Sequence, residues 1–331
     1  MRTPGPSPGK WGEAPSEPMI RVAICICTCE RLASLERLLG VLEHAGLDGL
    51  APDEVAVIVV DNRPDGRVRA LCARLAHRLP MRLECVEEAT PGISQARNRA
   101  VAAAGALGAA FVAFLDDDDV PEADWLEQLL ATQRATGADL VFGFWRLPDD
   151  LRVPDWLEQT RYFRPPDPAA RNRYGLPAWA GTFNLLASMA LLDRLSGPDG
   201  PFLVAFTHSG GEDSDLFIRA QRAGYTHACA ERSIVVRTWE TERLNLRGVL
   251  RRGFLLGGSR VHLACAHLPA AQVRRLLWSS WRKLGKALLQ LPLAATGRAR
   301  RVGPLLATAQ ALGEIYAWTG MRYAYYLRRR A

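Results

Sequence analysis

The stretch FVAFLDDDDVPEADW, residues 111–125, sets four consecutive aspartates directly behind an apolar run. Such a run, bounded by polar residues, reads as a buried strand, and each carboxylate at its end raises the cost of ionising the next. It is one of a series. IRVAICICT (20–28), VAVIVVD (55–61), MRLECVE (81–87), AAFVAFLD (109–116) and ADLVFGFW (138–145) are all short apolar runs. Helical periodicity starts between them near Leu32, Val68, Ile93 and Glu122. Strands apolar on both faces, separated by helix-length segments, predict an α/β architecture with a largely parallel sheet covered on both sides.

In such sheets ligands collect beyond the carboxyl ends of the strands. The polar residues fall there: the first strand ends in TCER, the second in DNRPDG and the fourth in DDDD, so three charged clusters are expected around one crevice. Residues 146–178 are rich in Pro and Arg with weak periodicity and read as an irregular excursion. Order returns with WAGTFNLLASMALLDRL (179–195), a strand running into a helix. GGEDSDLFIRAQRAG (210–224) then reads as a glycine turn opening an amphipathic helix that ends at Gly224.

The 331 residues carry a net charge of +7 that conceals an asymmetry. Residues 232–331 hold 19 Lys and Arg against 3 Asp and Glu, whereas the remainder holds 23 against 32. Such a split points one end of the chain at an anionic surface, membrane headgroups or nucleic acid. The tail supplies a candidate: Leu277, Trp281, Leu284, Leu288 and Leu291 form one apolar stripe, with Arg274, Arg275, Arg282, Lys283 and Lys286 around it. The same stripe also suits packing on the α/β domain. Residues 302–321 are interrupted by Pro304, Gln310 and three glycines, which argues against a spanning helix.

The first 18 residues, rich in Pro, Gly and Ser, read as a disordered leader without an apolar signal region. Seven cysteines without paired spacing fit a reducing, cytoplasmic compartment. Cys25, Cys27 and Cys29 alternate along the first strand, but no histidine lies nearby, and small apolar thiols filling a buried strand explain them.

Clustered carboxylates at a crevice mouth are relieved by a divalent cation with hard oxygen ligands. An EF-hand counted from Asp116 fails, because its sixth position, which needs glycine, is Pro121. A haloacid-dehalogenase-type phosphatase remains an alternative, since DDDDV resembles that family's D-x-D-x-V signature. The lysine such enzymes use downstream is missing, the only lysines being Lys10, Lys283 and Lys286. A non-catalytic polyanion-binding module is a second alternative, although no basic stretch is interleaved with aromatics on an RNA-reading fold, so no nucleic-acid partner is expected.

The wider sequence resembles the family-2 inverting glycosyltransferases of GT-A fold over about residues 20–240. The parts that carry the resemblance are CTCERLASLERLL, the strand ending VVDN, TPGISQARNRAVAAA, FLDDDDVPEADWL and GGEDSDLFIRAQRAGY, in this order. The resemblance implies a Rossmann-like, mostly parallel sheet flanked by helices, with a C-terminal helical region added. It implies a nucleoside diphosphate sugar donor contacted by Thr28, Glu30, Arg31, Asp61, Arg97, Asp116 and Asp117. Asp118 and Asp116 are the implied ligands of Mg²⁺ or Mn²⁺, with the register inside Asp116–Asp119 open by one. Asp213 matches the family's catalytic base, with Glu212 beside it on the acceptor side. Arg243, Arg251 and Arg252 are further diphosphate candidates, and a histidine expected just ahead of them is replaced near Arg237.

The expected organisation is a leader (1–18), a GT-A domain (19–240) and a basic helical region (241–331). The expected activity is inverting transfer of a sugar to a hydroxyl of a carbohydrate or lipid-linked acceptor, in polysaccharide or glycolipid biosynthesis, at the cytoplasmic face of an anionic membrane.

Overall fold

The computed structural model describes residues 20–47, 49–158, 166–207, 209–238, 245–293 and 298–320. The expected leader and Arg243 lie outside these residues. An eight-stranded sheet forms the centre, in the order β3-β2-β1-β4-β7-β6-β8-β5. Its strands are β1 (Val22–Thr28), β2 (Val55–Asp61), β3 (Arg82–Glu87), β4 (Phe111–Asp116), β5 (Asp119–Pro121), β6 (Leu140–Arg146), β7 (Asn184–Ser188) and β8 (His227–Arg237). β3, β2, β1 and β4 run parallel, as expected for strands joined by helical crossovers. Beyond them β7 runs antiparallel to both β4 and β6, and β5 antiparallel to β8.

Alternation along β1 feeds two cores. Ile24 and Ile26 point to the layer containing α1 (Leu32–Leu42), α2 (Arg67–Leu75) and α4 (Trp125–Thr136), where Leu35, Leu71 and Trp125 are buried. Cys25 points to the other layer, against Ala100 of α3 (Ile93–Ala106), with α6 (Met189–Leu195) and α7 (Glu212–Arg222) completing it. The Cys25 thiol donates to the Ala100 carbonyl at 3.8 Å, and burial pushes it well above its ordinary pKa. It is a core side chain, as small apolar thiols in a two-faced strand should be.

Among the described residues of the 146–178 span, the regular elements are the short α5 (Asp155–Glu158) and an isolated bridge between Arg171 and Pro177. α4 begins three residues later than periodicity indicates. β5 and the backbone bond from Glu122 N to Ile234 O (3.0 Å) keep the chain extended through that segment. Strands β5 and β8 were absent from the reading of the sequence. β5 is short and carries an aspartate, and HACAERSIVVR is interrupted by Glu231 and Arg232, so neither has a clear apolar period.

The tail forms α8 (Leu246–His267), α9 (Ala270–Leu293) and α10 (Arg298–Trp318). α8 is tied to the sheet domain through the turn that opens α7. Gly210 and Gly211 sit there at φ 70° and 96°, and a Cβ on Gly211 would touch Leu263 of α8 at 3.3 Å. Deeper in the contact, buried Asp215 receives Arg219 Nε at 2.8 Å and meets His267 Nε2 at 2.8 Å. Among the described residues no helix is long and apolar enough to cross a membrane.

Candidate active site

Parallel register lines up the strand ends. Thr28 is opposite Asp61, Cys27 is opposite Asp116, and Asp61 is opposite Glu87, so the three charged loops leave the sheet along one edge. The chain reverses within residues 116–119, and the four aspartates consequently divide into two pairs with different partners.

Asp117 turns inward and is buried. Its carboxylate accepts from Thr28 Oγ1 at 2.8 Å and from Arg31 Nη1 at 2.9 Å. Burial pushes its pKa up to about 6, against the opposing pull of Arg31. Asp118 accepts from the same Arg31 nitrogen at 2.6 Å, and its backbone carbonyl accepts from Thr238 Oγ1. One arginine after β1 thus spans two carboxylates after β4.

Asp116 lies between two guanidinium groups, Arg97 at 3.7 Å and Arg237 at 3.6 Å. Burial raises its pKa, and those two arginines oppose the rise. Asp119 is the most enclosed of the four. Its Oδ1 is 3.7 Å from Arg237 Nε, its Oδ2 has no hydrogen-bond partner among the described residues, and burial drives its pKa well up. Arg237 itself stacks over Phe183, 4.3 Å from guanidinium carbon to ring centre, with Trp145 at 5.9 Å. The position where a histidine was expected therefore holds a guanidinium fixed between aromatic rings and aspartates.

Arg97 links this cluster to the opening of α7. Its guanidinium donates to Glu212 Oε1 while facing Asp116, and it stands 5.7 Å from the Phe202 ring. Burial alone would lower its pKa, but Glu212, Asp116 and Asp213 together hold it above its ordinary value. Glu212 is buried and its carboxyl is raised by desolvation, with Arg97 opposing. Asp213, one residue on, is half-buried. Its Oδ1 accepts from Ser214 N at 2.6 Å, and its Oδ2 would lie 3.6 Å from a Cβ placed on Gly181.

Asn98, the neighbour of Arg97, has a different task. It donates to Phe202 O at 2.8 Å and accepts from Phe202 N at 2.9 Å, clamping the loop ahead of α7. Asp61 lies apart from the aspartate cluster, two strands across the sheet, or roughly 10 Å at the usual strand spacing. It is buried, accepts from Arg63 N at 3.0 Å, and has its pKa raised by desolvation. Glu30 adopts φ 60° and pairs with Arg63 at 2.5 Å. Arg251 and Arg252 are exposed on α8.

Among the sequence candidates, Thr28, Arg31, Asp117 and Asp118 form one network, and Asp116, Arg97 and Glu212 form a second that meets it. Arg237, Asp119, Phe183 and Trp145 belong to this second network and were not among the candidates. A basic residue at the last position of β8 was the available signal, but only the pairing of β5 with β8 sets it against the aspartates.

Among the described residues, no three His, Cys, Asp or Glu side chains close around one point as a metal cage. The donor chemistry fits a more open arrangement. Asp116 has 34% of its side chain exposed, and its two ion pairs are longer than hydrogen bonds. With Asp118 it offers hard oxygen donors of the kind that hold Mg²⁺ or Mn²⁺ through one or two carboxylates, the remaining positions going to water and phosphate.

The chain is 29% identical over 242 residues to the succinoglycan biosynthesis protein ExoM of Rhizobium meliloti (strain 1021), covering 72% of this chain and 73% of ExoM. Among solved structures, the mannosyltransferase PcManGT of Pyrobaculum calidifontis, determined with GDP-Man and Mn²⁺, superposes with a TM-score of 0.59 at 19% identity. That match covers 95% of this chain and 92% of PcManGT. S. aureus TarS is matched with a TM-score of 0.48 at 18% identity, over 76% of this chain but only 41% of TarS. The fold is that of the GT-A glycosyltransferases, a curled central sheet flanked by helices with further helices at the C-terminus. The profile of glycosyl transferase family 2 matches residues 23–191, half of the sequence, and the chain therefore belongs to that family.

Proposed function

We propose that this protein transfers a sugar from a nucleoside diphosphate sugar to a hydroxyl of a carbohydrate or lipid-linked acceptor in polysaccharide biosynthesis, with inversion at the anomeric carbon. The observation that carries the reading is Arg97, which bridges Asp116 at the end of β4 and Glu212 at the start of α7. It joins a donor side and an acceptor side across one crevice, and it keeps the carboxylates of the two sides from repelling each other apart. Family membership, the likeness to ExoM and the fold shared with a GDP-Man-binding mannosyltransferase support the same class of reaction. They set aside the phosphatase and polyanion-module alternatives.

In this reading Asp61 accepts from the base or ribose, and Thr28 and Arg31 hold Asp117 and Asp118 in place beneath the diphosphate. Asp118 and Asp116 would hold the Mg²⁺ or Mn²⁺ ion, which when bound neutralises charge on the departing diphosphate. Asp213 acts as general base, taking the proton of the acceptor hydroxyl as that oxygen attacks the anomeric carbon. Its Oδ1 is occupied by the Ser214 amide, which leaves Oδ2, on the Gly181 side, as the oxygen to receive the proton. Glu212, held by Arg97, orients the opening of α7 rather than reacting.

Calorimetry with UDP, GDP and dTDP, each with and without Mn²⁺, tests the donor side. Metal-dependent binding of one of them is expected, and binding of none, with or without metal, would overturn the reading.

A further inference from the structure

The three tail helices do not share their apolar residues evenly. α9 buries Val273, Leu276, Ser280 and Ala287. Its rotation about its own axis is fixed by Glu314 of α10, a carboxylate only 2% exposed. Glu314 accepts from Ser280 Oγ and from Lys283 Nζ (3.1 Å) of α9, and from Arg260 Nη1 (3.2 Å) of α8. Turning α9 would strip a buried charge of its partners, which is costly.

With that face locked inward, the opposite face is committed to the outside. There Trp278 is 72% exposed, Trp281 52%, Leu288 48% and Leu289 78%. At about 100° per residue these four fall within an arc of roughly 100°. Exposed Arg275, Arg282 and Lys286 run along one border of the arc, and Arg274 lies within it. α9 contains no acidic residue. The apolar stripe read from the sequence is split by the fold: Trp281 and Leu288 face outward, while Leu277 and Leu284 are half-buried.

We propose that this outer face of α9 is a docking surface for an anionic lipid bilayer. Two indole rings and two leucines are more apolar surface than one helix face ordinarily leaves in water. Tryptophan favours the headgroup boundary, where its ring is buried and its N–H remains wet. The flanking arginines and lysine complement anionic headgroups while their stems lie along the apolar layer. A polynucleotide would use the cations but offers no layer for Leu288 and Leu289 to enter. The docking needs nothing from the transfer chemistry, so either can fail alone.

The test is co-sedimentation of the full chain with phosphatidylcholine vesicles and with phosphatidylglycerol-rich vesicles. Binding is expected to the anionic vesicles and to be weakened by salt. Trp278→Ser combined with Leu289→Ser should bind at least about tenfold more weakly, and Arg275→Gln, Arg282→Gln with Lys286→Gln should abolish the preference for anionic lipid. Both variants alter exposed side chains and should keep the wild-type circular dichroism. If the paired apolar change perturbs it, Trp278→Ser alone serves. Equal binding to both vesicle types, undiminished anionic binding by the apolar variant, or displacement from vesicles by single-stranded polynucleotide would overturn the proposal.

Discussion

Asp119 on β5 and Arg237 on β8 are direct cross-strand partners, and the same guanidinium reaches Asp116 at 3.6 Å. One cation held against Phe183 therefore balances two carboxylates that the turn after β4 has brought under cover. Replacing it leaves both without that balance. Arg237→Met should lower stability by about 2–4 kcal/mol at neutral pH. The loss should shrink in acid, where the carboxylates can take up protons. Urea unfolding at the two pH values checks this, and a pH-independent loss would mean that only the packing on Phe183 had been removed.

Asp117 makes the aspartate cluster sensitive to pH in its own way. Its pKa is about 6 in the folded protein against 3.8 for an ordinary aspartate. A raised pKa means that the folded state holds the proton more tightly, so this contribution is fully present below about pH 4 and is lost as pH rises through about 6. The span is worth roughly 3 kcal/mol. Asp117→Asn cannot ionise, so its stability relative to wild type should be higher at about pH 7.5 than at about pH 4 by a similar amount. Asp116, Asp119 and Glu212, also raised by burial, act in the same direction. A stability difference between variant and wild type that stays flat across this window would refute the assignment.

Asp213 is proposed as the base that receives the acceptor proton. Asp213→Asn should reduce transfer by about 10²–10⁴-fold while leaving donor nucleotide affinity within about twofold, since the change leaves the aspartates after β4 intact. Single-turnover assays and calorimetry separate the two. Retention of full transfer would remove Asp213 from the mechanism.

The tail depends on a close helix crossing. A Cβ on Gly313 of α10 would sit 1.9 Å from Phe254 O of α8, and one on Gly257 would sit 2.2 Å from Gln310 O. Both obstacles are backbone, which cannot swing aside. Gly313→Ala should cost about 2–3 kcal/mol, and hydrogen exchange should locate the loosening in α8 and α10 with the parallel strands still protected.

Much of this was legible because the chain writes it locally. Apolar runs of strand length alternating with helical periodicity specify a covered parallel sheet, and the convergence of the segments after β1, β2 and β4 follows from parallel direction alone. The glycine turn before Glu212 was readable in the same way, because a left-handed backbone position selects for its residue type. What those segments then do to one another is a matter of contacts between residues far apart in the chain. Four adjacent aspartates look equivalent in the sequence, but the chain reversal gives Asp117 to Thr28 and Arg31, and Asp119 to Arg237, across separations of 86 residues and more. Strand β8 has little apolar period of its own and is held by β6 and β5, so the position of Arg237 exists only once those pairings form.

The sequence by itself determined the parallel strands and the helices that cross between them, the edge of the sheet where charge would gather, and the amphipathic character of α9. Only the tertiary structure decided which of the four aspartates are buried, which arginine opposes each, and which face of α9 Glu314 turns inward. Periodicity is a property of neighbouring residues, whereas the ionisation and exposure of a side chain are set by whatever the rest of the chain packs against it.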